Sequence, residues 1–175
     1  MNDLRIAAGA ALLALLCACA TPQGTVVLLP EPEGKPTAVT VTQGDKVSEL
    51  GVKPLAKILG YATFSREPEW FTLAPIGAIA TLLQRLSLQV GDVGLFEINE
   101  AFSVVPMAAM KELGIAHEKC NVHGGAVALG HPIGASGTRT LVTLLNAMKQ
   151  RGARIGVDSL CIGGGEAVAL AVELC

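Results

Sequence analysis

The chain has few aromatic residues: one Trp, one Tyr and four Phe, 3% of its 175 residues. So few rings leave no surface for stacking bases. Charge is scarce as well. Charged residues make up 16%, and a net charge of −2 supplies no basic patch for nucleic acid. Five cysteines at irregular spacing include no CxxC pair, and an odd count in a chain this size gives no complete disulfide framework. The apolar run Ile6–Leu16 falls short of the ~20 residues that a membrane-spanning helix needs. What is abundant is apolar content, 51%, and glycine, 20 residues. That composition buries a core and excludes wholesale disorder, and the length suits one domain plus a tail.

The first fifty residues differ in character from the rest. Arg5 precedes the apolar run, and Leu16-Cys17-Ala18-Cys19 follows it. This resembles the lipobox of a bacterial lipoprotein signal, with Cys19 as the lipidation candidate, because bulky Leu15 and Leu16 precede Cys17. Residues 1–20 are therefore expected to be a leader that directs export and membrane anchoring, the alternative being an apolar helix packed on the domain. Residues 21–50 form a Pro/Gly-rich linker in which Val26–Leu29 and Ala38–Thr42 are expected as short strands.

From Gly51 onward, strand and helix signals alternate. Strands are expected at Leu55–Thr63, Gly94–Ile98, Asn121–Ala126, Arg154–Leu160 and Ala167–Leu174. Helices are expected at Pro75–Leu88, Ala101–Leu113 and Ser136–Gln150, with EPEWFTLAP (67–75) as a loop. The order β-α-β-α-β-α-β-β denotes an α/β domain with a helix-covered mixed sheet, and ligand groups in such sheets gather where strands end.

Three motifs occupy such places. NEAF (Asn99–Phe102) follows the strand GLFEI, where an amide can hold a water or face a developing oxyanion. Asn99 can equally be a plain helix cap, with Glu100 favouring the helix's positive end. HGGAVALGHPIGASG (123–137) spaces its glycines as GxxxGxxG, which is neither a dinucleotide fingerprint nor a P-loop. His131 within it has the chemistry to take a proton from a thiol. CIGGGEA (Cys161–Ala167) sets a thiol at a strand end before free backbone N–H groups. That suits a nucleophile or a thiolate base, the plain alternative being a buried free cysteine. His117, Cys120 and His123 supply too few ligands for a structural metal site.

In this order, GVKPLAKILGYAT, DVGLFEINEAF, NVHGGAVALGHPIGASGTRTLVTLL and QRGARIGVDSLCIGGGEA resemble the C-terminal domain of thiolases, from about Val47 to Glu173. The resemblance implies making or breaking a carbon–carbon bond between acyl-CoA units through an acyl-cysteine. It implies that His131 activates the nucleophilic cysteine, that Asn99 positions an oxyanion-hole water, and that Cys161 moves a proton. Gly163 would lend an N–H to a second oxyanion hole. The coenzyme A thioester is substrate, with no covalently bound cofactor and no metal. The expected partners are the N-terminal half of a thiolase or a second copy, and the expected location of such a domain is the cytoplasm.

The chain departs from the pattern, and the loop that grips much of coenzyme A in that family is not matched here. The nucleophilic cysteine of thiolases lies in a VCGSG-type segment of their N-terminal domain, which is not found here, and Cys17 and Cys19 do not match it. The isolated chain is therefore expected to lack turnover and to expose an apolar face. A non-catalytic envelope lipoprotein is the alternative. Pro106, inside the NEAF helix, is expected to kink it.

Overall fold

The structure, a computed structural model, describes residues 26–29, 40–44 and 46–175. Cys17, Cys19 and the leader reading lie outside the described residues.

Strands β1 (Val26–Leu29), β2 (Thr40–Gln43), β3 (Ala56–Ser65), β4 (Leu95–Ile98), β5 (Ile155–Ile162) and β6 (Glu166–Leu174) form one six-stranded sheet in the order β2-β1-β3-β6-β5-β4. All neighbours are antiparallel except β4 and β5, which run parallel. Among the described residues the α-helices are α1 (Lys46–Leu50), α2 (Ala74–Leu86), α3 (Val104–Leu113), α4 (Ala126–Leu129) and α5 (Ser136–Arg151).

Apolar periodicity assigns the helices to the two faces of the sheet. On α5, Leu141, Leu144, Leu145 and Met148 recur at helical spacing and pack on Leu95, Leu160 and Leu170. On the opposite face, Ile79, Leu82 and Leu83 of α2 and Val105 and Ala109 of α3 cover Phe96, Ile98 and Val157. Each fully buried aliphatic side chain contributes roughly 1.5–3 kcal/mol, so the two clusters together hold the sheet between its helices. The turn from β5 to β6 depends on glycine. Gly165 sits at φ +94°, and a Cβ there would fall on the Arg66 carbonyl oxygen, at the point where Arg66 N–H donates to Gly165 O at 3.0 Å.

The expected α/β architecture with a mixed sheet is present; of the two short strands in the Pro/Gly-rich segment, β1 pairs with the β3 edge and β2, at Thr40–Gln43, pairs with β1. Four details differ. Asn121–Ala126 is not a strand, and only a parallel bridge between Phe96 and Cys120 remains of it. Asn121 takes a left-handed conformation, φ 49°, and its side chain does what a strand would do. Its Oδ1 accepts from Ile98 N and its Nδ2 donates to Ile98 O, both at 2.8 Å. The helix after NEAF starts at Val104, not Ala101. Pro106 consequently falls in its first turn, where its missing N–H has no intrahelical partner to lose, and no kink arises. Residues Pro68–Leu73, expected as a loop, form a 3₁₀ helix in which Trp70 stays half-exposed.

Candidate active site

The parallel pair β4–β5 brings two of the singled-out residues to one end of the sheet. Its register sets Ile98 opposite Ser159, and Asn99 N–H extends the ladder by donating to Ser159 O at 2.9 Å. Asn99 is therefore the last strand-like residue of β4 and does not cap α3, whose cap position is Ser103. Cys161 lies two residues beyond Ser159 on the neighbouring strand, and Gly163 opens the exposed turn that follows.

Side-chain alternation separates them. Glu97 and Asn99 lean towards α5, as does Asp158, whereas Phe96, Ile98, Val157 and Cys161 belong to the α2–α3 side. The Cys161 thiol is half-buried there, and burial pushes its pKa up, so it is held as the protonated thiol.

On the α5 side the polar groups form a connected set. The glycine-rich loop carries His131 to Asn99, and Asn99 Nδ2 lies 3.3 Å from His131 Nε2. His131 Nδ1 is 2.5 Å from Ser136 Oγ, which donates to Pro132 O at 3.1 Å. Arg139, one helical turn after Ser136, donates to Glu97 Oε1 at 3.2 Å and to Asn99 Oδ1 at 3.1 Å. Glu97, Asn99 and Ser136 are each only 1% exposed. Glu100, beside them, accepts from Val127 N–H at 2.9 Å and ties the NEAF segment to the glycine loop. That contact needs Gly125, where a Cβ would fall on the Glu100 carboxylate.

Burial dominates the titration of this set. It lifts Glu97 to about 7 against the opposing pull of the Arg139 guanidinium, and it lifts Asp158 well above the usual carboxylate range despite a 3.0 Å hydrogen bond with Thr140 Oγ1. Asp158 Oδ1 is buried without a partner, as suits a neutral carboxyl. Cys120, on the far side of the NEAF segment, is pushed up to about 12, again by burial first.

The structure thus joins Asn99 directly to His131, brings Cys161 to the same sheet end on the other face, and leaves Gly163 exposed in the turn above. Sequence reasoning passed over Glu97, Asn121, Ser136 and Arg139. A signal for the last two exists: Ser136, Arg139, Thr140 and Thr143 trace a polar stripe at helical spacing along the N-terminal half of a helix whose other buried positions are aliphatic. Glu97 and Asp158 are likewise acids inside apolar strands.

Comparison with known proteins agrees with this geometry. Residues 52–174 match the family model described as thiolase, C-terminal domain. An acetyl-CoA acetyltransferase of Chromobacterium violaceum is 52% identical over 136 residues, 78% of this chain and 35% of the relative. Acetyl-CoA acetyltransferase 2 of Arabidopsis thaliana is 50% identical over 137 residues, 78% of this chain and 34% of the relative. Among solved structures, the acetyl-CoA acetyltransferase of Bacillus anthracis superposes with a TM-score of 0.76 at 41% identity, covering 78% of this chain and 35% of that one. Human mitochondrial 3-ketoacyl-CoA thiolase in complex with CoA gives 0.76 at 36% identity, with the same coverage of 78% and 35%. The chain spans about a third of the length of the curated relatives it matches. A mixed sheet ending in an Asn–His pair, a matching family model and relatives at half identity lead to one conclusion: the chain belongs to the thiolase family, as its C-terminal domain.

Proposed function

We propose that this domain supplies the acid–base half of a thiolase-type acyl transfer on coenzyme A thioesters, with the nucleophilic cysteine on a separate polypeptide segment. The observation that carries this reading is the 3.3 Å contact between Asn99 and His131 at the end of the parallel strand pair. In the cleavage direction, His131 takes the proton of the nucleophilic thiol, and the thiolate attacks the keto carbon of a 3-ketoacyl-CoA. The carbon–carbon bond breaks, the acyl group stays on the cysteine, and the departing α-carbon takes a proton from the Cys161 thiol. A CoA thiol then returns a proton to Cys161 and displaces the acyl group as acyl-CoA, and the freed cysteine thiolate takes back the proton held by His131. Asn99 positions a water for the first oxyanion, and the Gly163 N–H faces the second. The raised Cys161 pKa supports a proton carrier over a standing thiolate nucleophile.

A second observation supports the missing partner. Phe102, Val104, Met107, Val127, Leu129 and Ile133 are all at least half exposed, and all lie on the two segments that carry or follow Asn99 and His131. Apolar side chains gathered around a site in this way mark a surface that another polypeptide covers, and the N-terminal half of a thiolase is the proposed occupant. The test is direct. Purified chain mixed with acetoacetyl-CoA and CoA shows no loss of acetoacetyl-CoA beyond the uncatalysed rate. Turnover by the isolated chain that disappears in Cys161→Ala overturns the division of labour.

A further inference from the structure

The hydrogen bonds around the His131 ring run in one direction, and chemistry fixes both ends of the run. At one end stands Arg139, whose guanidinium can only donate. Its Nη2 lies 3.1 Å from the Asn99 side chain, so the Asn99 atom facing it is the oxygen, and the amide nitrogen points towards His131 Nε2 at 3.3 Å. An amide NH₂ does not accept in return, so Nε2 accepts and carries no proton. At the other end the Pro132 carbonyl can only accept, and the Ser136 hydroxyl, 3.1 Å away, gives it its single proton. Ser136 Oγ accordingly accepts from His131 Nδ1. The two ends are independent, yet they specify the same tautomer: proton on Nδ1, lone pair on Nε2.

We infer that Arg139, acting through Asn99, is the positioning residue that keeps His131 Nε2 unprotonated, its lone pair held by the Asn99 amide until an incoming thiol proton takes that place. One helix addresses both ring nitrogens, because Ser136 and Arg139 stand three residues apart on the same face of α5. Glu97 holds the guanidinium from its other side at 3.2 Å. Glu97, Asn99 and Ser136, each 1% exposed, present these bonds from the buried side, while the His131 ring itself is open to solvent. The inference deepens the reading of His131 as a base and rests on it, but its test does not depend on turnover.

The test is long-range ¹⁵N–¹H correlation NMR on the full chain labelled at its three histidines, with the His131 signals assigned by loss in His131→Asn and read at about pH 8, where an ordinary imidazole is neutral. The wild-type ring is expected to show a protonated Nδ1 and a bare Nε2. Arg139→Gln frees the Asn99 amide to turn, and the tautomer ratio is expected to fall about tenfold, the loss of one charge-assisted bond. Glu97→Gln keeps both Arg139 contacts and is expected to leave the ratio unchanged. Asn99→Asp preserves size but offers only acceptors, so the proton is expected to move to Nε2. That variant decides the matter if Arg139→Gln fails to fold. A purely structural Arg139 would lower the unfolding temperature without moving the tautomer. A wild-type ring protonated at Nε2, or an unchanged ratio in folded Arg139→Gln or in Asn99→Asp, overturns the inference. Absence of acyl transfer in any assay would count against the proposed function and leave this result standing.

Discussion

The two faces of the sheet beneath the site are built from different chemistry. On the α2–α3 face, Ile98, Phe96 and Val157 are covered by Ile79, Leu82 and Val105, an apolar layer that also takes in the thiols of Cys120 and Cys161. On the α5 face, a few residues away along the same strands, Glu97, Asn99, Asp158, Ser136 and Thr140 are buried together around Arg139. A fold needs only the first kind of layer. Burying polar groups in the second costs free energy unless every one finds a partner, so their concentration at one sheet end indicates selection for chemistry over stability.

The contrast can be tested by breaking each face. Arg139→Met strands the Glu97 carboxylate and the Asn99 oxygen in the interior, and a loss of about 3–5 kcal/mol in urea-unfolding stability is expected, the usual cost of opening a buried pair. Ile98→Ala on the opposite face leaves a cavity and is expected to cost about 2–5 kcal/mol by the same measurement. The faces then separate by NMR, because the His131 tautomer moves in the first variant and stays in the second.

The pH dependence distinguishes the faces next. Glu97 titrates at about 7 in the folded chain against 4.5 when exposed. Its folded pKa is raised, so its contribution is fully present below pH 4.5 and is lost as pH rises to about 7, and it amounts to about 3 kcal/mol. Asp158, also raised, adds a loss of the same sign. Unfolding midpoints measured from pH 4.5 to 8 should therefore fall, and Asp158→Asn should flatten the slope. The smallest effect belongs to the surface. Ile133→Ser, at a side chain 86% exposed, should change the stability of the isolated chain by no more than about 0.5 kcal/mol. A larger loss would show that the apolar rim already packs within this chain.

Much of this was legible in the amino-acid sequence. The apolar stripe of α5, the strand running into Cys161 and the three-glycine turn each follow from local spacing, because one element decides each of them. The Asn99, His131 and Cys161 positions were marked by strand ends and glycines. What stayed hidden depends on distant partners. Asn121 reads as strand because nothing local reveals that its side chain bonds both backbone groups of Ile98, 23 residues away. Arg139 reads as an ordinary helix residue until the fold sets it against Asn99, 40 residues earlier. The late start of α3 has the same cause: Asn99 is still occupied in the β4–β5 ladder, so the chain needs several more residues before it can turn into a helix.

The proposed function gives this domain the acid–base half of an acyl-transfer site whose nucleophile lies on another polypeptide segment. Its most direct test is complementation: the purified chain is mixed with a separately produced N-terminal two-thirds of a thiolase, and acetoacetyl-CoA cleavage is followed after a complex has been confirmed by size-exclusion chromatography. The account predicts turnover in the mixture, absent from either component alone and lost in His131→Ala. A complex that forms and stays inactive, or one whose activity survives His131→Ala, would contradict it.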